Sequence, residues 1–301
     1  MFIEKELGYK RHWINIDSDI ISEQSYLYTK YDIDQETIEY ALDKNERAHM
    51  DYNRENGTIT FIYNVLALEK DKEYYETIPL TFIVQDTRLV TISNEDNAYV
   101  IRKMQDYVDN HENLSIYTLL FAGLEMISNA YYPVIERLDQ QKDEVSRRLR
   151  QTTTSKNLYD LSDLEIGMVY LVTAATQNRL LLEHIKGHAI YRRLNEVEKE
   201  QFDDAMIEAR QLVAMTDLIS KVLQQLSGSY NNILNNNLNN NLSNLTIIEV
   251  LLGVLSVITG FFGMNVPIPF MTVSPAWIFI IIGSVILCLV LARYLRWLVH
   301  K

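Results

Sequence analysis

The chain has 301 residues, 48% of them hydrophobic, and a formal charge of −12 at pH 7. Its length suits about two domains, and the single cysteine, Cys288, excludes an intrachain disulfide or a zinc-type cysteine cluster. Charge is uneven: residues 246–301 hold Glu249 against Arg293, Arg296 and Lys301, leaving −14 on residues 1–245. That acidic body argues against a nucleic-acid partner, whose phosphates need clustered Lys and Arg, and suits a surface that gathers cations.

In chain order, Met1-Phe2-Ile3-Glu4-Lys5-Glu6 has no apolar h-region, so the acidic body is expected to be cytoplasmic. Residues 1–112 read as a mixed α/β domain. Asp34–Arg47 is predicted helical, with Asp34 as its cap. Thr58–Val65, Ile78–Val84 and Arg88–Ser93 are predicted strands from their β-branched and aromatic content, with turns at Gly57 and Gln85-Asp86-Thr87.

Long helices are predicted over 113–195. Leu119, Ala122, Met126, Ala130, Val134, Leu138 and Val145 fall on one helical face. Thr152–Asn157 is a polar break, and a second helical run reaches about His188. A third starts near Glu196 and contains no proline. Its stalk portion is 196–244, and it is predicted to run unbroken into the apolar segment beyond, over about 65 residues or roughly 100 Å. A helix of that length needs partners along its side, and oligomerisation is the natural source. Within it, residues 231–244 are dominated by Asn, a poor helix former. Leu234, Leu238, Leu242 and Leu245 nevertheless keep a helical stripe, so this stretch reads as helix just below a membrane.

Residues 245–264 and 276–295 are each about 20 residues long and apolar, which matches a roughly 30 Å hydrocarbon core. The connecting loop, 265–275, has three prolines and no charge, so the two runs form a hairpin and not one helix. Arg293, Tyr294, Arg296, Trp297 and Lys301 make an aromatic and basic belt running into the tail, 296–301. The positive-inside rule then places both termini in the cytoplasm of a plasma-membrane protein.

The first run ends on Gly263-Met264-Asn265. Two apolar runs, a long preceding helix and this tripeptide at their turn resemble the CorA family of magnesium and divalent-cation channels. Leu245-Thr246-Ile247-Ile248 is similar to the family's hydrophobic constriction. Pro79-Leu80-Thr81-Phe82-Ile83-Val84 and Leu89-Val90-Thr91-Ile92 resemble its central strands. The resemblance implies an α+β cytoplasmic domain with long stalk helices and a C-terminal transmembrane hairpin, assembled as a homopentameric funnel. It further implies that Mg²⁺ passes down its electrochemical gradient and also regulates the channel from inside, so that the partners are the bilayer, divalent cations and other copies of the chain. Mg²⁺ dehydrates reluctantly, so a ring of neutral Asn265 oxygens suits a hydrated ion. Gly263 would allow a tight backbone beside it. Pore-lining positions recurring every three to four residues are Asn235, Asn239, Leu242, Leu245, Glu249, Gly253 or Leu252, Ser256 and Gly260.

The chain also departs from the pattern. Gly253 stands where relatives often carry a bulky Met, which moves the apolar constriction to Leu245 and Leu242. Glu249 is a carboxylate inside a span, where such groups face a cavity or a partner; five would make a cation-binding ring. The loop after Asn265 lacks the acids many relatives carry there. Asp204, beside Asp203, falls on the family's regulatory stalk acid, but the acid expected on the preceding helix falls near Asn129-Ala130.

No phosphate loop, nucleophile elbow or HExxH is present, so no enzyme is expected. Glu183-His184 and His188 place two imidazoles one turn apart without a third ligand. Alternatives are a relative that moves Co²⁺, Ni²⁺ or Zn²⁺, and a membrane-anchored sensory or scaffold protein. Zinc-exporting relatives often change the middle residue of the tripeptide, and Met264 favours the magnesium branch.

Overall fold

A computed structural model of the chain describes residues 2–54, 56–70, 74–151, 154–264 and 276–299, without the side chains of 20–25, 276 and 299. The chain divides into two compact units, Met1–Ser227 and Gly228–Lys301.

The first unit is built on a six-stranded sheet of β1 (Ile3–Gly8), β2 (Arg11–Asp17), β3 (His49–Tyr52), β4 (Ile59–Leu66), β5 (Thr77–Gln85) and β6 (Arg88–Ser93), in the order β1-β2-β6-β5-β4-β3. Only β2 and β6 run parallel. Their pairing sets Ile14 and Ile16 beside Val90 and Ile92 on one face. There α1 (Ile21–Lys30) contributes Leu27 and Tyr28 to the core, and Ile38 and Ala41 of α2 (Gln35–Leu42) pack against it. The other parity of the same strands carries a buried polar chain. Trp13 Nε1 donates to Thr91 Oγ1 at 3.1 Å, and the Thr91 and Ser93 hydroxyls donate to Asn15 Oδ1 at 2.8 and 3.0 Å. Full satisfaction is what makes such a chain tolerable in a core.

Asp34 caps α2 as expected, accepting from the Thr37 N–H at 2.7 Å. The helix stops at Leu42 and does not reach Arg47, because the Asp43 carboxylate takes the Asn45 N–H at 2.9 Å and its carbonyl takes that of Glu46. A local Asp turn competes with the next helical bonds and wins.

Helices α3 (Ala98–Asn110), α4 (Ile116–Gln151), α5 (Ser155–Gly187) and α6 (Ala189–Arg193) follow. Met104 of α3 lies against Gly123 of α4 and within reach of Phe82 on the sheet: a Cβ on Gly123 would sit 3.1 Å from the Met104 sulfur. Beyond the end of β3, the outer edge of β4 has no strand partner among the described residues. Asn178 of α5 supplies one: its side-chain oxygen accepts the Asn64 N–H and its amide donates to the Asn64 carbonyl, both at 2.8 Å. One side-chain amide thereby imitates a strand residue.

The last elements are α7 (Glu196–Phe262) and α8 (Ala276–Val299). α7 is an unbroken helix of 67 residues, Asn-rich stretch included, starting on a reciprocal cap between Asn195 and Glu198. In the first unit its Phe202, Ala205, Ala209, Leu212, Thr216 and Leu223 are buried, a stripe at helical spacing.

Candidate ion pathway

In the second unit, α7 and α8 are both long and apolar enough to cross a membrane, and most of their apolar side chains there are exposed. A core helix of a water-soluble protein would be buried; these need a lipid or protein surround. α7 shields only one face. Ile247 is 7% exposed, and Ser243, Leu251, Val254 and Ile258 on the same face are half-buried. α8 answers with Ile280, Ser284, Cys288, Leu291 and Leu295, half-buried at spacings of three and four. Small residues at Ser284 and Cys288 permit close helix approach. A cleft of about 370 Å³ near the end of α8 is lined by Ile247, Thr246 and Ser243 of α7 and Leu295 and Leu298 of α8.

The expected pore positions lie elsewhere on α7. At about 100° per residue, Leu245, Glu249 and Ser256 fall roughly 160–200° round from Ile247. Asn235, Leu242, Gly253 and Gly260 lie on the same far arc. All are exposed, Leu245 by 52% and Leu242 by 51%. Asn239 sits towards the flank, at the lip of the α7–α8 cleft with Leu242. The face bearing the polar and small residues is thus the face α8 leaves uncovered. At its C-terminal end the helix stops at Phe262, with the Gly263 N–H donating to the Thr259 carbonyl at 2.9 Å. A Cβ on Gly263 would lie 2.9 Å from that same oxygen, too close for any side chain without opening the turn. Asn265, the residue expected to form the mouth, and the rest of the loop to Pro275 lie outside the described residues.

A second constellation sits in the first unit, between α4 and α7. Gln201 Nε2 donates to Glu125 Oε2 at 2.7 Å, and the Tyr132 hydroxyl donates to Glu208 Oε2 at 2.8 Å. Burial first, then the charges of Asp204 and Glu208, push the Glu125 carboxyl above the usual carboxylate range, while hydrogen bonds from Gln201 and Asn129 pull the other way. Pro133 inside α4 removes the N–H that would otherwise take the Asn129 carbonyl, leaving that oxygen outside the helix ladder. Asp203, next to Asp204, turns to the other flank and pairs with Lys186 at 3.1 Å. Among the described residues, no three acid, His or Cys side chains are close enough to hold a metal ion between them. His184 and His188 have ring centroids 6.5 Å apart, and the His188 ring nitrogen caps the following helix.

The family described as CorA-like Mg²⁺ transporter protein matches residues 10–297. The chain belongs to that family. No curated protein sequence matches it significantly. The complete CorA magnesium transporter of Methanocaldococcus jannaschii shares the fold with a TM-score of 0.82 at 20% identity, covering 98% of this chain and 92% of that one. Full-length CmaX covers 95% of this chain and 89% of its own, with a TM-score of 0.71 at 15% identity. The ZntB cytoplasmic domain of Vibrio parahaemolyticus covers 78% of this chain and 98% of its own, with a TM-score of 0.58 at 9% identity.

The CorA fold is therefore an α+β body with long helices, followed by two C-terminal apolar helices, and the chain is a divalent-cation transporter of the membrane by family. Within that frame Glu125 is the residue sequence reasoning missed. The acid expected near Asn129-Ala130 stands one helical turn earlier, where Glu125 feels the Asp204 charge and Asn129 hydrogen-bonds to it. The signal was present as the i, i+4 spacing of Glu125 and Asn129 on one face.

Proposed function

We propose that the chain forms a homopentameric channel in the plasma membrane, with both termini in the cytoplasm, that admits Mg²⁺ down its electrochemical gradient. The observation that carries this reading is the division of α7 into two faces. α8 packs on Ile247, Leu251, Val254 and Ile258, while Leu245, Glu249, Gly253, Ser256 and Gly260 remain free on the opposite side, with the exposed Leu242 at the lip of the α7–α8 cleft. A ring of copies that brings the free faces together encloses a column with an apolar constriction at Leu242 and Leu245, a carboxylate ring at Glu249, and hydroxyl and small positions above. Five Asn265 side chains close the outer end, with Gly263 and Met264 forming the turn that presents them. Neutral oxygens at the mouth suit an ion that keeps its water shell.

Regulation by internal divalent ions fits the acids between α4 and α7. Glu125, Asp204 and Glu208 repel one another, and a hydrated cation among them relieves that repulsion without needing a closed chelate; Asp203, held by Lys186, plays the lesser part. The test is reconstitution in liposomes loaded with a Mg²⁺-sensitive dye, with Co²⁺, Ni²⁺ and Zn²⁺ run in parallel. Mg²⁺ entry that saturates and exceeds leakage supports the reading. Entry of Co²⁺, Ni²⁺ or Zn²⁺ alone assigns the chain to the rival cargo, and no entry of any ion favours a tethered sensor or scaffold.

A further inference from the structure

The first unit also carries an open cleft of about 1160 Å³ at the starts of α4 and α7, where three arginines gather. Arg11 at the start of β2, Arg54 in the β3–β4 connection and Arg193 at the end of α6 all line it. None of the three has a carboxylate partner among the described residues; Arg11 donates only to the Leu114 carbonyl, at 3.3 Å. The acids at the cleft are mostly engaged: Glu196 is held by Lys199 at 2.9 Å, and Glu198 accepts the Asn195 N–H at 2.9 Å. Asp86 has no ion-pair partner among the described residues, and Glu198 keeps its charge beneath the Asn195 cap.

In a body with a charge of −14 over residues 1–245, three separate segments each bring an arginine to this one cleft. Guanidinium forks match phosphate oxygens in geometry as well as charge. The 36-residue helix α4 starts in the same cleft: Ser115 Oγ takes the Thr118 N–H at 3.0 Å, leaving the first-turn N–H groups of Ile116 and Tyr117 without acceptors within the helix. Beside the arginines, the rings of Tyr52 and His188 meet edge to face with centroids 5.8 Å apart, and both line the cleft. Simple phosphate would leave most of this volume empty and the aromatic wall unused. A nucleic acid is disfavoured by the acidic body around the cleft.

We propose that this cleft binds a nucleoside polyphosphate, its phosphates held by Arg11, Arg54, Arg193 and the first turn of α4 and its base lying against Tyr52 and His188. The nucleotide is a ligand and not a fuel, since the chain has no Gly-rich phosphate loop. The first turn of α7 forms part of the cleft wall, so an occupant touches the helix that continues into the first span.

The experiment uses full-length protein in detergent, at fixed free Mg²⁺ so that chelation does not interfere, with a fluorescent ATP analogue as probe. Saturable binding is expected, weakened about tenfold or more in Arg54→Ala and in Arg193→Ala, since each removes charge-assisted hydrogen bonds. Asp86→Asn is expected to tighten binding, a gain that damage to the fold cannot mimic. Unlabelled ATP should displace the probe better than inorganic tripolyphosphate, and adenosine should fail. Absence of binding at about millimolar ligand, indifference to both arginine substitutions, or equal displacement by adenosine would each overturn the proposal; tripolyphosphate matching ATP would overturn the nucleotide assignment. The result stands apart from the ion question, because a chain that binds ATP yet moves no Mg²⁺ still satisfies it.

Discussion

Glu125 on α4 and Asp204 on α7 face each other across the helix contact, and after burial the Asp204 charge is the largest cause holding the Glu125 carboxyl above its ordinary range. The native state thus retains a proton on Glu125 at a pH where the unfolded chain has lost it. By linkage, stability falls as pH rises from the ordinary Glu range through the raised folded value. Glu125→Gln should therefore raise the Tm of the detergent-solubilised protein at pH 7 and leave it unchanged below about pH 4. Glu125 is only partly buried, so solvent screening keeps the rise to on the order of 1 °C. Added Mg²⁺ should raise the Tm of the unaltered chain and do so less in Asp204→Ala. A Tm that responds equally to Mg²⁺ in both proteins would remove these acids from regulation.

Asn178 is the hinge-pin of the contact between α5 and β4. Replacing it with Leu leaves the buried Asn64 N–H without its acceptor, although the Asn64 carbonyl still receives the Tyr131 hydroxyl at 3.0 Å. An orphaned N–H costs about 1–3 kcal/mol, and the Tm should drop by several degrees. Thermal unfolding followed by circular dichroism checks it.

Gly263 has no room for a side chain, whereas Gly283 on α8 has nothing within 4 Å of an added Cβ. Gly263→Ala should open the last turn of α7 and depress Mg²⁺ entry into liposomes strongly. Gly283→Ala should leave entry at the level of the unaltered chain. Equal rates in the two variants would show that the tight turn does not matter to transport.

Glu249 lies about 160° round α7 from Ile247, so its carboxylate belongs to the free face. Glu249→Gln should change the rate of Mg²⁺ entry or its ratio to Co²⁺ entry, measured side by side in the same vesicles. An unchanged profile would place Glu249 at a helix flank, outside the ion path.

The parts of the fold that sequence made legible are those with a single strong period. Arg88–Ser93 matches β6 to the residue, and the run from Glu196 emerges as one helix despite its Asn-rich stretch, because Leu234, Leu238 and Leu242 keep the helical spacing. The segments over β1, β2, β3 and α1 carry no local pattern that predicts them individually. β2 is buried on both sides, with Trp13, Ile14, Asn15 and Ile16 all inaccessible, so it lacks the alternation that marks a half-buried strand. Its partner β6 also lies far along the chain, where local pattern gives no hint of pairing. For the site, the spacing of polar and small residues in the first span picked out the arc that α8 leaves free. Glu125 escaped because a position was counted along the chain where a helical face was needed, and one turn on a face is four residues in sequence.

Ion passage through a mouth formed by Asn265 is tested by comparing Mg²⁺ entry into liposomes bearing the unaltered chain with entry into liposomes bearing Asn265→Ala at matched protein content. Entry should be rapid in the first and fall to the leak rate in the second. Full-rate entry with Asn265→Ala would show that ions do not pass through an Asn265 mouth.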